Sequence, residues 1–68
     1  MTSLEFVVED SQTNRVVDTA RAVAGDALER ITIAPIDGTP RSTVVLALRL
    51  ELVAAVMDAV MKALDKPV

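Results

Sequence analysis

An α+β domain of element order β-α-β-β-α is predicted by three features of this 68-residue sequence. Apolar residues alternate at period two in three stretches, Leu4–Glu9, Glu29–Ile36 and Arg41–Leu50, the pattern of strands with one buried face. In Gln12–Ala24 and Glu51–Asp65 they recur three or four residues apart, the pattern of helices with one buried stripe. Between the second and third strands stands Asp37-Gly38-Thr39-Pro40, a turn sequence, because glycine takes positive φ freely and proline cannot donate to a ladder.

In the first strand Leu4, Phe6 and Val8 share one face and Glu5, Val7 and Glu9 the other. Asp10 or Ser11 follows with a side-chain oxygen suited to cap a helix N-terminus. The first helix places Val16, Val17, Ala20, Val23 and Ala24 on its apolar side, leaves Asn14, Arg15, Asp18 and Arg21 elsewhere, and stops at Gly25. In the second strand Ile31 and Ile33 oppose Arg30, Thr32 and Ala34, and Pro35 marks an edge or a bulge. The third is read as central, with Val44, Leu46, Leu48 and Leu50 on one face and Thr43, Val45, Ala47 and Arg49 on the other. A helix beginning near Thr43 would erase the hairpin, but Ser42-Thr43-Val44-Val45 favours a strand, since two of its residues are valines stiff at χ1. The last helix carries Leu52, Val53, Val56, Met57, Val60, Met61 and Leu64 as a broad stripe, and Lys66-Pro67-Val68 ends it.

This length holds one domain, residues 1–68. A monomer of that size buries only about 60% of the surface its unfolded chain exposes, so its core needs outside support. The sequence has no cysteine and no histidine, which excludes disulfides and removes the best zinc, iron and copper ligands; no metal and no cofactor is expected. Oligomerisation is the support left over. The apolar fraction of 51%, with Phe6 the only aromatic residue, is too high for a disordered chain. Ten acidic and seven basic side chains give a net charge of -3, and without a basic cluster no nucleic-acid partner is expected. Glu5 and Glu9 stand where an export signal needs basic and then unbroken apolar residues, which predicts a cytoplasmic protein. The apolar window Val44–Met61 is interrupted by Arg49, Glu51 and Asp58, each costing about 2.5–3.5 kcal/mol near a bilayer centre, so no membrane span is expected.

The order β-α-β-β-α resembles the ferredoxin-like plait (βαββαβ) lacking its last strand: an antiparallel sheet with two helices on one face. Leu4-Glu5-Phe6-Val7-Val8-Glu9-Asp10 running into a helix resembles the first strand of P-II-like proteins. Ile31-Thr32-Ile33-Ala34-Pro35 before a short hairpin resembles the second strand of the small regulatory domains of the ACT and P-II-like groups. The resemblance implies a non-catalytic regulatory or assembly domain that oligomerises through its sheet and binds a small metabolite between subunits. It also implies that the first and third strands pair at the centre, the second lies at one edge, and the place of a fourth strand stays open. Two departures are concrete. Asp10-Ser11-Gln12-Thr13 lacks the proline and glycine of the ACT ligand turn, and Asp37–Pro40 is far shorter than the P-II nucleotide loop.

Candidate ligand-binding residues are Asp10 and Ser11 after the first strand, and Asp37, Gly38, Thr39 and Arg41 at the hairpin. There, backbone N–H groups beside an arginine suit a small anion, although a plain turn accounts for the same residues. Candidate interface residues are Val7, Val45 and Ala47 on the outer sheet face, beside Glu5, Glu9, Thr43 and Arg49, together with Met57 and Met61 one turn apart on the last helix. Those methionines suit an adaptable contact surface and, more commonly, core filling against the third strand. The carboxylate pairs Glu9-Asp10 and Asp26-Glu29 read as caps and solvated loops rather than acid/base pairs, and Arg15 and Arg21 as solvated helix charges. Ser11, Ser42 and Thr43 lack a histidine base, so no catalytic residue is assigned. The expected partners are a second copy, as a dimer or a multiple of dimers, a small-molecule effector, or a larger protein docking on the open edge or the last helix. An enzyme built at a subunit interface is the least supported reading.

Overall fold

A computed structural model describes residues 2–65. The chain is α+β, with strands β1 (Thr2–Glu9), β2 (Leu28–Pro35) and β3 (Arg41–Leu48) and helices α1 (Thr13–Ala24) and α2 (Val53–Leu64) in the order β1-α1-β2-β3-α2. Single 3₁₀ turns, Asp10–Gln12 and Leu50–Leu52, lead into the helices, and Gly25–Ala27 leads into β2.

The strands form one antiparallel sheet of order β1-β3-β2. β3 takes the centre because it is the most continuously apolar: Val44, Leu46 and Leu48 are fully buried. β1 pairs with it in unbroken register from Thr2 opposite Leu48 to Glu9 opposite Arg41. β2 pairs from Leu28 opposite Leu48 to Pro35 opposite Ser42, with an irregularity between Leu28 and Arg30 that leaves Glu29 as an extra residue. Pro35 ends an edge strand, where its missing donor is tolerated.

Period two then sorts the side chains. Leu4 and Val8 of β1 and Val44, Leu46 and Leu48 of β3 face the helices and merge with Val16, Ala20 and Ala24 of α1 and Val56 and Val60 of α2 into one core. α1 packs on α2 and covers β2 and β3, while α2 lies over β1. The Arg15 guanidinium donates to the Ala63 carbonyl at 3.4 Å, joining the first turn of α1 to the last of α2, so the helices run in opposite directions. Arg15 thus serves a helix C-terminus, where a cation and a donor are both favourable, beyond the solvated charge expected of it. Val7, Thr43, Val45 and Ala47 line the opposite face, which no element among the described residues covers.

Several boundaries differ from expectation for identifiable reasons. β3 ends at Leu48, because Arg49 (φ -69°, ψ 142°) leads the chain into a 3₁₀ turn; Leu50 therefore leaves the buried face and is 72% exposed, and Arg49 leaves the strand. Neither Asp10 nor Ser11 caps α1. Instead the Asp10 carbonyl accepts from the Thr13 N–H and, at 3.0 Å, from the Thr13 hydroxyl, and the 3₁₀ turn satisfies the helix start. Val23 is 38% exposed although its spacing fits the stripe, since α1 buries the narrower set Val16, Ala20 and Ala24. Met57 and Met61 are 39% and 60% exposed, so they do not fill the core against β3. The stop expected at Lys66-Pro67-Val68 lies outside the described residues.

Both glycines act as anticipated by their chemistry. Gly25, at φ 55°, ends α1 by donating its N–H to the Arg21 carbonyl. Gly38, at φ 77°, is the third residue of a turn closed by the Thr39 N–H on the Ile36 carbonyl at 3.2 Å, the position where a type II turn requires positive φ. A Cβ at Gly38 would meet nothing within 4 Å, so Gly38→Ala tests the backbone conformation alone. It is expected to cost about 1–2 kcal/mol in urea denaturation, the left-handed penalty of a side chain.

Candidate functional site

Six residues expected to bind a ligand come from two separate stretches, and the sheet register explains why they meet. β1 ends at Glu9 opposite Arg41, where β3 begins, so the β1–α1 junction and the β2–β3 hairpin share one end of the sheet. The Asp10 N–H donates to the Pro40 carbonyl at 2.9 Å, and the Ser42 hydroxyl donates to the Asp10 carboxylate. Asp10, Ser11, Asp37, Gly38, Thr39 and Arg41 are all exposed.

Most of the polar groups at this end are already engaged with each other. Thr39 Oγ1 donates to the Ile36 carbonyl at 3.0 Å and accepts from the Arg41 N–H at 3.2 Å, while the Ile36 N–H donates to the Arg41 carbonyl at 3.0 Å. These bonds make the turn rigid rather than receptive. What stays open is the Asp37-Gly38 tip, the Ser11 side chain and the Arg41 guanidinium, which shares the outer face with Glu9 opposite it. Opposite charges at facing positions of two strands avoid repulsion, and an exposed guanidinium keeps its donors for a carboxylate ligand.

The interface candidates divide. Val7 (55% exposed) and the half-buried Val45 offer apolar surface on the outer face, whereas Ala47 is 8% exposed, hidden beneath its own neighbours. A shallow groove over the same face is lined by Ser3, Glu29, Arg30, Val45 and Ala47. Met57 and Met61 lie on the flank of α2, and a second groove, mostly apolar, runs past Met61 and Leu64 to Lys62 and Asp65. The Lys62–Asp58 pair at 3.0 Å beside it is well exposed and adds little stability.

Ser42, weighed above only as a nucleophile, is the structural residue that spacing underrated. It sits on the helix-side face in phase with Val44, Leu46 and Leu48 and is 3% exposed, so its hydroxyl must find a partner inside the fold. The signal was available: a serine in phase with an apolar run. Glu9 and Asp10 do not act as a pair, since Asp10 accepts from the Ser42 hydroxyl while Glu9 stands exposed opposite Arg41 in the sheet register, and Asp26 and Glu29 are solvent-exposed in a turn and a bulge. Among the described residues no three acidic, histidine or cysteine side chains gather where they would hold a metal ion, and no helix is long and apolar enough to cross a membrane.

Fold and surfaces together define a small α+β domain with an open sheet. Comparison of the chain with protein-family models, with curated proteins and with solved structures found no match.

Proposed function

We propose that this chain is a non-catalytic assembly domain that oligomerises through its sheet and binds a small anionic metabolite where subunits meet. The observation that carries the reading is the uncovered outer face, which presents Val7 and Val45 to water beside a core too small to be robust alone. The strand order β1-β3-β2 with both helices on one face supports reading the fold as a ferredoxin-like plait without its fourth strand, the architecture of the ACT and P-II-like regulatory groups. The ligand end is the junction of Asp10, Ser11 and the hairpin, with Arg41 as the cation.

Light scattering with refractive-index detection, suited to a chain without Trp or Tyr, is expected to give a dimer or a multiple of dimers at high micromolar concentration. A strictly monomeric mass there overturns the reading. A thermal-shift panel of amino acids and small carboxylates is expected to contain compounds that raise the melting temperature of the native chain and not of Arg41→Ala. Equal shifts in both chains would remove the ligand from this end, and a stoichiometric copurifying protein with no small-molecule response would indicate an adaptor.

A further inference from the structure

The sheet has two edges, and only one is defended. β2 carries the two devices that discourage strand addition, a bulge at Glu29 and a proline, Pro35. β1 has neither: its eight residues pair without interruption, and its other edge meets no strand among the described residues.

The layer above β1 is unfinished on the same side. In α2, Ala59 and Ala63 are half-buried, and the Arg15 contact at Ala63 marks the flank that faces α1. At 100° per residue Ala54, Met57 and Met61 fall on the opposite flank, and all three are exposed. Since α1 covers β2 and β3 while α2 covers β1, this flank overhangs the undefended edge.

We infer that β1 pairs antiparallel with β1 of a second copy about a two-fold axis at Phe6, extending the sheet to six strands with the Met57/Met61 flanks of the two α2 helices closing over the joint. This deepens the assembly reading above and rests on it. The register selects the occupant. Facing residues must lie on the same face, so the two-fold can be centred on Glu5, Phe6 or Val7 with useful overlap. Centring on Glu5 sets Glu5 against itself, and centring on Val7 sets Glu5 against Glu9 of the second copy twice. Centring on Phe6 sets Phe6 against Phe6, Leu4 against Val8, Glu5 against Val7 and Glu9 against Ser3, with no like charges directly opposed. The strand is thus self-complementary in the way a two-fold interface requires.

The test uses position 7, which is exposed in the single chain. In this register its side chain faces Glu5 of the second copy at two symmetric places, so Val7→Lys is expected to tighten the dimer and Val7→Glu to loosen it, each by about tenfold in Kd by sedimentation. If assembly instead stacks the outer faces, both charges would be buried and both variants would weaken it, which overturns the edge pairing but not the assembly reading. A native chain that is monomeric fails both. For the register itself, Glu5→Cys and Val7→Cys chains are mixed under mild oxidation, the native sequence being free of cysteine. The mixed disulfide is expected to predominate over either homodimer; a statistical mixture overturns the axis at Phe6.

Discussion

Leu46→Ala is expected to leave the isolated domain close to unfolded. Leu46 is fully buried on the central strand, between Leu4 of β1 and Ile31 of β2 in register and beneath both helices, so its loss empties the middle of the only core among the described residues. A Leu→Ala change at such a site costs about 2–5 kcal/mol, through lost transfer energy and the cavity left behind. A domain of this size is expected to have about 3–10 kcal/mol in total. The substitution therefore removes between a large part and all of its stability. Urea denaturation followed by far-UV circular dichroism reads the effect, with exposed Thr32→Ala as a control that should stay within about 0.5 kcal/mol of the native chain. A midpoint for Leu46→Ala close to that of the control would mean that the core relaxes around the gap.

Why that residue could be named from sequence alone shows which features are encoded locally. Two-residue alternation is enforced in β1 and β3 by burial of one face, whereas on the edge strand β2 Ile31 is half-buried and Ile33, expected on the same face, is 44% exposed; Leu46 sits mid-run between Val44 and Leu48, out of reach of either end. Helix existence was equally plain from the spacing of Val16, Ala20 and Ala24. Ends were not, because they depend on competition between backbone geometries. Leu50 continues the alternation and yet leaves the sheet, since the 3₁₀ turn before α2 claims it. Met57 and Met61 fit the α2 stripe equally well, and only the positions of α1 and β1 decide which side of that stripe is covered.

The candidate site divides along the same line. That Asp10 and Arg41 lie at one end follows from antiparallel pairing of β1 with β3, a long-range fact that turn chemistry suggested but did not contain. Which hydrogen bonds they use was not legible. Asp10 has the composition of a helix cap, and spacing gives no hint that its carboxylate turns toward Ser42, thirty-two residues away, rather than toward the amides of α1. Thr39 likewise reads as an open turn hydroxyl until its donor and acceptor roles inside the hairpin are seen.

The Asp10–Ser42 contact supports the second large expected effect. Ser42 is the buried polar residue of the core, at 3% exposure, and among the described residues its hydroxyl donates to Asp10. Asp10→Ala takes away the acceptor and leaves the hydroxyl stranded in an apolar setting, an expected loss of about 1–3 kcal/mol. Ser42→Ala removes the need along with the donor, while the Asp10 carboxylate turns to water, so it should cost less. In the Asp10→Ala, Ser42→Ala double variant the two losses should fall short of their sum by about 1 kcal/mol, the coupling expected of a charge-assisted bond. Asp10→Asn, which keeps an acceptor oxygen, should recover most of the stability. Additive losses, or a Ser42→Ala loss as large as that of Asp10→Ala, would show that the hydroxyl is satisfied elsewhere. The consequence reaches the ligand end, since this bond and the Asp10 N–H to Pro40 carbonyl bond together tie the hairpin to the β1–α1 junction. Loosening them separates Arg41 from Ser11, so any compound that stabilises the native chain through that end should stabilise Asp10→Ala less than Asp10→Asn.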